Sequence, residues 1–478
     1  MKSYEKFISK EDILKIHENT LKILKNVGVI FENERALEVF RRHGLKIDGN
    51  KVFIDEKTLD QCTQSAPAAF TISSPSKGDV TLGDGSQIRA PQGMNIYIED
   101  QGKIRKMNNE DVINQFKLGN SSTAVHTTNS GNLADYTGCN AEQIQFGMLA
   151  LSLRYAKKLN IVGCTNEDYI PKEAIYDSTR KGIQLVKRFE GVEDKYVQMR
   201  GMNSLSPLAY DYAPIERIFA LLDENQPVQI SPCAMPLLTA PASLAGLMST
   251  TNAEILAGLV LVQLVNPGNP FMYGNVSGGT NMKTIQLSMG SPEASLVNYV
   301  TAGLADLYQV PFRTGGAFND AKDFDPQMGL ESMMMLYSTI DCGADFTMHS
   351  IGTMGTYNVT SMEKYILDEE IIHMLHRLFR GVDCNEEKLC YSEIEKVGPR
   401  GAFLRGRTPK MYREEVYLPS ILNKDDPNNW QHLGSVPLRQ TAREAAQKRI
   451  DEFEAYEATP EQKKILEAYL PPQFAESI

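Results

Sequence analysis

Residues 310–329 read VPFRTGGAFNDAKDFDPQMG. The apolar start, Val310 to Phe312, gives way after Arg313 to two adjacent glycines and then to carboxylates, amides and a proline. A buried strand that ends in a ligand-facing loop and passes into a helix reads this way. Glycines permit positive φ or a close backbone approach, and acids suit the first turn of the helix that follows. The same rhythm recurs in AVHTTNSG, IVGCTNED, VQMRGMNSLSP, VQISPCAMP, FMYGNVSGG and FTMHSIGTMG. Counted from Val125, Ile161, Val197, Val228, Phe271, Val310 and Phe346, the spacings are 36, 36, 31, 43, 39 and 36 residues. Each spacing accommodates one strand, a loop and a helix. Apolar runs without alternation imply burial on both faces, as in a parallel sheet. Seven such units predict an α/β chain built on a (β/α)8 TIM barrel, with the eighth strand near Ile88 to Ile98 or after Gly381.

Outside this rhythm the chain changes character. Residues 1–120 read as an α+β extension. Ser9 with Asp12 opens a helix stopped at Gly28, a second helix ends at Gly44, and an Asp48-Gly49 turn joins two short strands. Residues 121–380 form the barrel core. Residues 381–478 are charged and helical, with breaks at Thr459-Pro460 and at Pro471 and Pro472, and are expected to pack on the barrel.

Of the 478 residues, 42% are hydrophobic and 23% charged, with a net charge of -11. That balance, without a basic stripe, disfavours nucleic acid and anionic membranes as partners. MKSYEKFISKEDILKIHENT has no apolar core of a signal peptide, and no uncharged apolar run reaches membrane-spanning length. The seven cysteines, Cys62, Cys139, Cys164, Cys233, Cys342, Cys384 and Cys390, are scattered without C-x-x-C spacing. They fit a reduced, cytoplasmic protein.

In a (β/α)8 barrel the loops after the strands build the site. This places Gly315, Gly316, Asp320, Gln327 and Glu331 near it, together with the strand-end residues His126, Tyr273, Asn275, Arg313 and His349. No H-e-x-x-h or C-x-x-C pattern supports a zinc site. His373 and His376, three apart on a helix, have the spacing of a metal pair but read more readily as solvent-facing. The glycine-rich strand ends also fit a lyase or aldolase that cradles a phosphate.

Several segments together resemble the trimethylamine methyltransferase superfamily: TAPASLAGLMSTTNAEILAGLVLVQLVNPGNPFMYG, GSPEASL, RTGGAFNDAKDFDPQMGLES and TSMEKYILDEEII. The resemblance runs along nearly the whole chain. It implies a barrel that moves a methyl group from a methylamine to cobalt in a corrinoid held by a separate protein. Archaeal trimethylamine enzymes of this superfamily carry pyrrolysine at the barrel mouth. Here the corresponding loop is DPQMGLES, with Met328 at or near that position, and Met328 cannot form a covalent adduct with an amine. Members without pyrrolysine demethylate quaternary amines, which already leave as neutral tertiary amines.

The resemblance therefore implies methyl transfer from a quaternary amine, with glycine betaine first and proline betaine, carnitine and γ-butyrobetaine as alternatives. Cobalamin arrives on the partner rather than on this chain, which lacks the Asp-x-His-x-x-Gly corrinoid-ligand pattern; a homo-oligomer stays open, and so does a betaine-binding protein without activity. The cation calls for aromatic faces from Tyr97, Tyr273, Phe312, Phe318, Phe346 and Tyr357, with Met328 and Met348 completing an apolar wall. A substrate carboxylate calls for Arg313, with His126, His349 and the backbone at Gly315 as further donors. Asp320, Glu331 and His349 are the candidate catalytic residues, while Asn275, Gly316 and Gln327 complete the expected substrate contacts.

Overall fold

The computed structural model describes residues 2–478 except 94, 130, 164 and 405, so Cys164 lies outside the described residues. Helix α1 (Lys10–Asn26) begins where the sequence places it, with the Ser9 side chain accepting from the Asp12 backbone N–H. Its Ile13, Ile16 and Leu24 turn inward. Gly28 follows at φ +80°. The Lys46–Asp48 and Lys51–Phe53 strands pair antiparallel about Gly49, which takes the positive φ that such a tight turn requires.

The centre of the molecule is a curled, six-stranded parallel sheet: β1 (Ile88–Arg89), β2 (Arg200–Met202), β3 (Val228–Ile230), β4 (Phe271–Gly274), β5 (Phe312–Gly315) and β6 (Phe346–Met348). Their spatial order is β1-β6-β5-β4-β3-β2. The first of the two places considered for the remaining strand, near Ile88, is the one that joins this sheet: Ile88 pairs with Phe346 and Arg89 with Thr347. Among the described residues the segments at Val125 and Ile161 form no regular strand, yet backbone bonds run through them from one edge of the sheet to the other. Arg89 O accepts from His126 N at 2.8 Å, Leu159 O from Thr128 N at 3.0 Å, and Ile161 O from Met199 N at 2.8 Å.

Helices α2 (Asn109–Ser121), α3 (Ala141–Tyr155), α4 (Ile175–Glu190), α5 (Tyr212–Asp223), α6 (Leu244–Val265), α7 (Pro292–Tyr308), α8 (Pro326–Asp341) and α9 (Met362–Phe379) alternate with these strands and segments. The sheet separates two kinds of core. On its convex face Val228, Ile230, Phe271, Tyr273 and Phe312 meet the helices. On its concave face Ile88, Met199, Met272, Phe346 and Met348 gather. The hairpin of Phe70–Ile72 and Val80–Leu82 packs against that second cluster.

Helix α6 is, among the described residues, the one helix long and apolar enough to cross a membrane, but 89% of its most apolar stretch is buried within the protein. Its polar residues act as ties. The Asn252 amide donates to Thr20 Oγ1 and to Tyr308 Oη, and the Glu254 carboxylate accepts from the Leu208 N–H at 2.9 Å and from Ser206 Oγ at 2.8 Å. A buried carboxylate held by several donors marks a core helix.

Helix α10 (Leu438–Asp451) packs along α9 and α2. Arg449 bonds Glu369 at 2.8 Å and Arg443 pairs with Glu363, so the charged tail grips the body through ion pairs.

Candidate functional site

At the C-terminal ends of β5 and β6 the two loops stay zipped together. Gly316 N donates to Met348 O and Ala317 N to His349 O, each at 2.8 Å. The glycine pair is what allows this. A Cβ on Gly315 would lie 1.8 Å from the Phe318 ring, and one on Gly316 would lie 2.5 Å from Ser350 Cα. Phe318 therefore folds back over the end of β5 and meets the His349 ring, with centroids 5.3 Å apart.

His349 sits at φ +57°, a conformation uncommon for a residue with a side chain. Its Nδ1 hydrogen-bonds Gln92 Oε1. The Gln92 amide nitrogen donates to Tyr357 O at 2.8 Å, and its backbone carbonyl accepts from Tyr365 Oη at 2.7 Å, from Gln115 at 3.1 Å and from Asn129. Burial, reinforced by the Arg313 guanidinium, pushes the His349 pKa down to about 3. The ring is therefore neutral at physiological pH.

Arg313 projects from β5 on the concave face. Its guanidinium is buried, with Nη2 directed at Met348 Sδ at 3.0 Å and with Nε and Nη1 lacking a hydrogen-bond partner among the described residues. Burial lowers its pKa to about 10, which leaves it charged at neutral pH. The Cys233 thiol faces this charge, and Tyr357 faces Cys233. Ser231 Oγ, Gln229 Oε1 and Gln198 Oε1 are also buried without partners among the described residues. Small neighbours make room for this polar band: a Cβ on Gly274 would fall 2.0 Å from Ser231 Oγ and 2.9 Å from Arg313 Cδ, and one on Gly201 would fall 2.7 Å from Gln229 Nε2. A buried, unpaired cation beside open acceptors is costly unless an anion completes it.

Asp320 and Glu331 lie beside this group with their oxygens engaged. Asp320 accepts from Ser288 Oγ at 2.6 Å, from the Met289 and Gly290 N–H groups at 3.2 Å, and from Thr356 Oγ1 at 3.0 Å. Glu331 accepts from the Asp320 N–H at 2.6 Å and from the exposed Gln327 amide at 2.9 Å. These carboxylates tie three loops together.

Of the residues expected from the sequence, the structure brings together Arg313, Gly315, Gly316, Phe318, Met348, His349 and Tyr357, with Asp320 and Glu331 bracing the loops beside them. The remaining ones stand elsewhere. Tyr273 faces the helix layer, where its hydroxyl donates to Asn252 Oδ1 at 2.9 Å. Asn275 donates to Thr251 Oγ1 at 2.9 Å in the same layer. Phe312 packs on the convex face and Phe346 deep on the concave one. Met328 is fully buried with Ala317, Ala321, Ile351 and Tyr365. His126 accepts from the Arg89 N–H at 3.0 Å and is exposed beside His376 of α9. Tyr97 lies half-exposed in the small sheet that pairs it with Val359.

Gln92 and the Gln198, Gln229 and Ser231 band are absent from the expected set. For Gln92 the available signal is its place between Pro91 and Gly93, directly after β1. Among the described residues no group of three or more His, Cys, Asp or Glu side chains is arranged to hold a metal ion.

Comparison with known proteins adds a lineage to this geometry. The chain is 35% identical to the proline betaine:corrinoid methyltransferase of Eubacterium limosum over 98% of both chains. It is 36% identical to that organism's L-carnitine:corrinoid methyltransferase, over 98% of this chain and 97% of the relative. It is also 36% identical to the glycine betaine methyltransferase of Desulfitobacterium hafniense (strain Y51), over 88% of each. The profile of the family described as Trimethylamine methyltransferase (MTTB) matches residues 2–476, and the chain belongs to that family.

Proposed function

We propose that this chain moves one N-methyl group from a quaternary amine bearing a carboxylate to Co(I) of a corrinoid carried by a partner protein. The observation that carries this reading is the buried Arg313 guanidinium, whose Nε and Nη1 have no hydrogen-bond partner among the described residues. A carboxylate matches these donors in charge and in hydrogen-bonding capacity. Similarity to relatives named for proline betaine, L-carnitine and glycine betaine supports it, because all three compounds combine a quaternary nitrogen with a carboxylate. Identities of 35%, 36% and 36% to these three relatives support the class they share, a carboxylated quaternary amine, rather than one betaine.

We read the six-stranded sheet as part of a closed (β/α)8 barrel, in which the segments at Val125 and Ile161 supply the two remaining staves through the backbone bonds of Arg89, Leu159 and Ile161. The concave face is then the barrel interior, and the strand C-termini form its mouth. With the carboxylate on Arg313, the ammonium lies toward Phe318, Tyr357 and the Met348 thioether. Neutral His349 adds no second positive charge there. Asp320 and Glu331 hold the loops rather than the substrate.

The chemistry asks little more. The Co(I) electron pair forms the new Co–C bond, and the C–N pair leaves on a neutral tertiary amine, so no proton moves. The protein aligns donor and acceptor and excludes water. The corrinoid protein docks over the strand C-termini, where the mouth opens. Such low-valent cobalt requires a reducing, cytoplasmic setting, in keeping with the six described cysteines, all of them free.

The test is to mix the chain with a reduced corrinoid protein and, separately, proline betaine, carnitine, γ-butyrobetaine and glycine betaine, following Co(I) absorbance and the demethylated product. Turnover with at least one of these is expected. Inertness toward all four, with a corrinoid protein shown to accept methyl groups, would contradict the proposal.

A further inference from the structure

We propose that Gln92 is a positioning residue, whose side-chain amide holds His349 as the Nδ1–H tautomer and leaves the unprotonated Nε2 facing the cationic end of the substrate. This rests on the quaternary-amine reading of the site.

The Gln92 side chain has one donor end and one acceptor end. The donor end is taken: Nε2 donates to Tyr357 O at 2.8 Å. Oε1 is then the atom that meets His349 Nδ1, and an amide oxygen carries no proton, so Nδ1 must donate. Turning the amide over would lose the bond to Tyr357 O and set the two oxygens against each other. The backbone of Gln92 is fixed as well, since its N–H donates to Ile351 O at 3.1 Å and its carbonyl accepts from Tyr365 Oη at 2.7 Å. On the His349 side, the left-handed φ of +57° is held by Ala317 N on the His349 carbonyl at 2.8 Å. Nε2 of the ring makes no hydrogen bond among the described residues.

The identity of the partner group is the informative feature. A carboxylate in the place of Gln92 Oε1 would stabilise the imidazolium; a neutral amide does not. Arg313 from β5 is the charged group that acts on the ring. Cys233, in the loop after β3, interacts with Arg313 and Tyr357, Tyr365 of α9 bonds the Gln92 carbonyl, and Asp320 follows two residues after Phe318, whose ring meets His349. Asp320 is occupied by the donors of Ser288, Met289, Gly290 and Thr356. Nothing near the ring therefore favours a second positive charge beside a quaternary ammonium.

The experiment has two arms on the full-length chain. Labelling with 15N-histidine, and assigning the His349 signals by their loss in His349→Gln, reads the tautomer directly by NMR without substrate. The wild type is expected to carry its proton on Nδ1 at pH 7, and Gln92→Leu to lose that preference. In the second arm, KM for the best of proline betaine, carnitine and glycine betaine is measured from pH 8 to pH 6. The wild-type KM is expected to stay level, while in Gln92→Glu it rises about tenfold as the ring protonates, with kcat changing less. A wild-type ring protonated on Nε2, or on both nitrogens, would overturn the proposal, as would a level KM in a folded Gln92→Glu protein. If none of the three betaines reacts while the Nδ1–H tautomer is seen, the substrate reading fails and the positioning role stands.

Discussion

Gly316 and Ser350 pack backbone to backbone: a Cβ on Gly316 would lie 2.5 Å from Ser350 Cα and 2.7 Å from the His349 carbonyl oxygen. Through this contact the end of β5 sets the height of His349. Neither neighbour is the flexible tip of a side chain, so an added methyl forces the two loops apart. Gly316→Ala is expected to cost about 1–3 kcal/mol in unfolding free energy and to lower kcat/KM at least about tenfold. Urea unfolding and steady-state kinetics on the same preparation check both; unchanged kcat/KM would separate Gly316 from the site.

Arg313→Met should act in opposite directions on binding and stability. Loss of charged hydrogen bonds to a carboxylate, about 1.5–3 kcal/mol, weakens betaine binding roughly 10- to 100-fold. Removing an unpaired buried charge in favour of an apolar chain of similar reach leaves stability unchanged or raised. Calorimetric titration with the betaine, alongside urea unfolding, tests the pair. Unaltered affinity would remove Arg313 from the carboxylate site.

Tyr273→Phe removes the hydroxyl that donates to Asn252 and leaves that buried acceptor short of a partner. Stability is expected to fall by about 1–3 kcal/mol. The dissociation constant for betaine is expected to stay within about twofold, because the ring faces the helices. A large loss of affinity without loss of stability would return Tyr273 to the pocket.

The depressed pKa of His349 makes a signed statement about acid stability. In the unfolded chain a histidine titrates near pH 6.5, whereas in the fold His349 stays neutral down to about pH 3. Between these values the unfolded chain holds the extra proton, so the contribution is complete above about pH 6.5 and is lost as pH falls toward 3. Relative to His349→Gln, the wild type is expected to lose about 1–2 kcal/mol between pH 6.5 and pH 5. A stability difference that stays constant across this range would contradict the neutral, buried ring.

Much of the fold was legible because buried parallel strands announce themselves as apolar runs. Val228, Phe271, Phe312 and Phe346 all fall in strands of the central sheet. The runs at Val125 and Ile161 carry the spacing but not regular ladders. Faces were harder to read. A strand buried on both sides gives no alternation to show which residues look inward, so Tyr273 and Arg313 were equally plausible at the mouth. The register pairs Tyr273 with Phe312 and Gly274 with Arg313, which puts Tyr273 among the helices and Arg313 inside. Met328 and the Asp320–Glu331 pair were readable as a loop of interest, but only tertiary contacts show that one fills a core and the others brace loops. Apart from Gln115 and Asn129, the partners of Gln92 are His349, Tyr357, Tyr365 and Ile351, all 257 or more residues away, and no local pattern encodes that.

The central claim is that the donor nitrogen already carries four carbon substituents. The most direct measurement presents the protein and its reduced corrinoid partner with a permanently cationic betaine and, in a parallel reaction, with trimethylamine, and follows methyl-cobalt formation in each. Rapid methylation from the betaine and none from trimethylamine is the expected result. Methylation from trimethylamine alone would contradict the account.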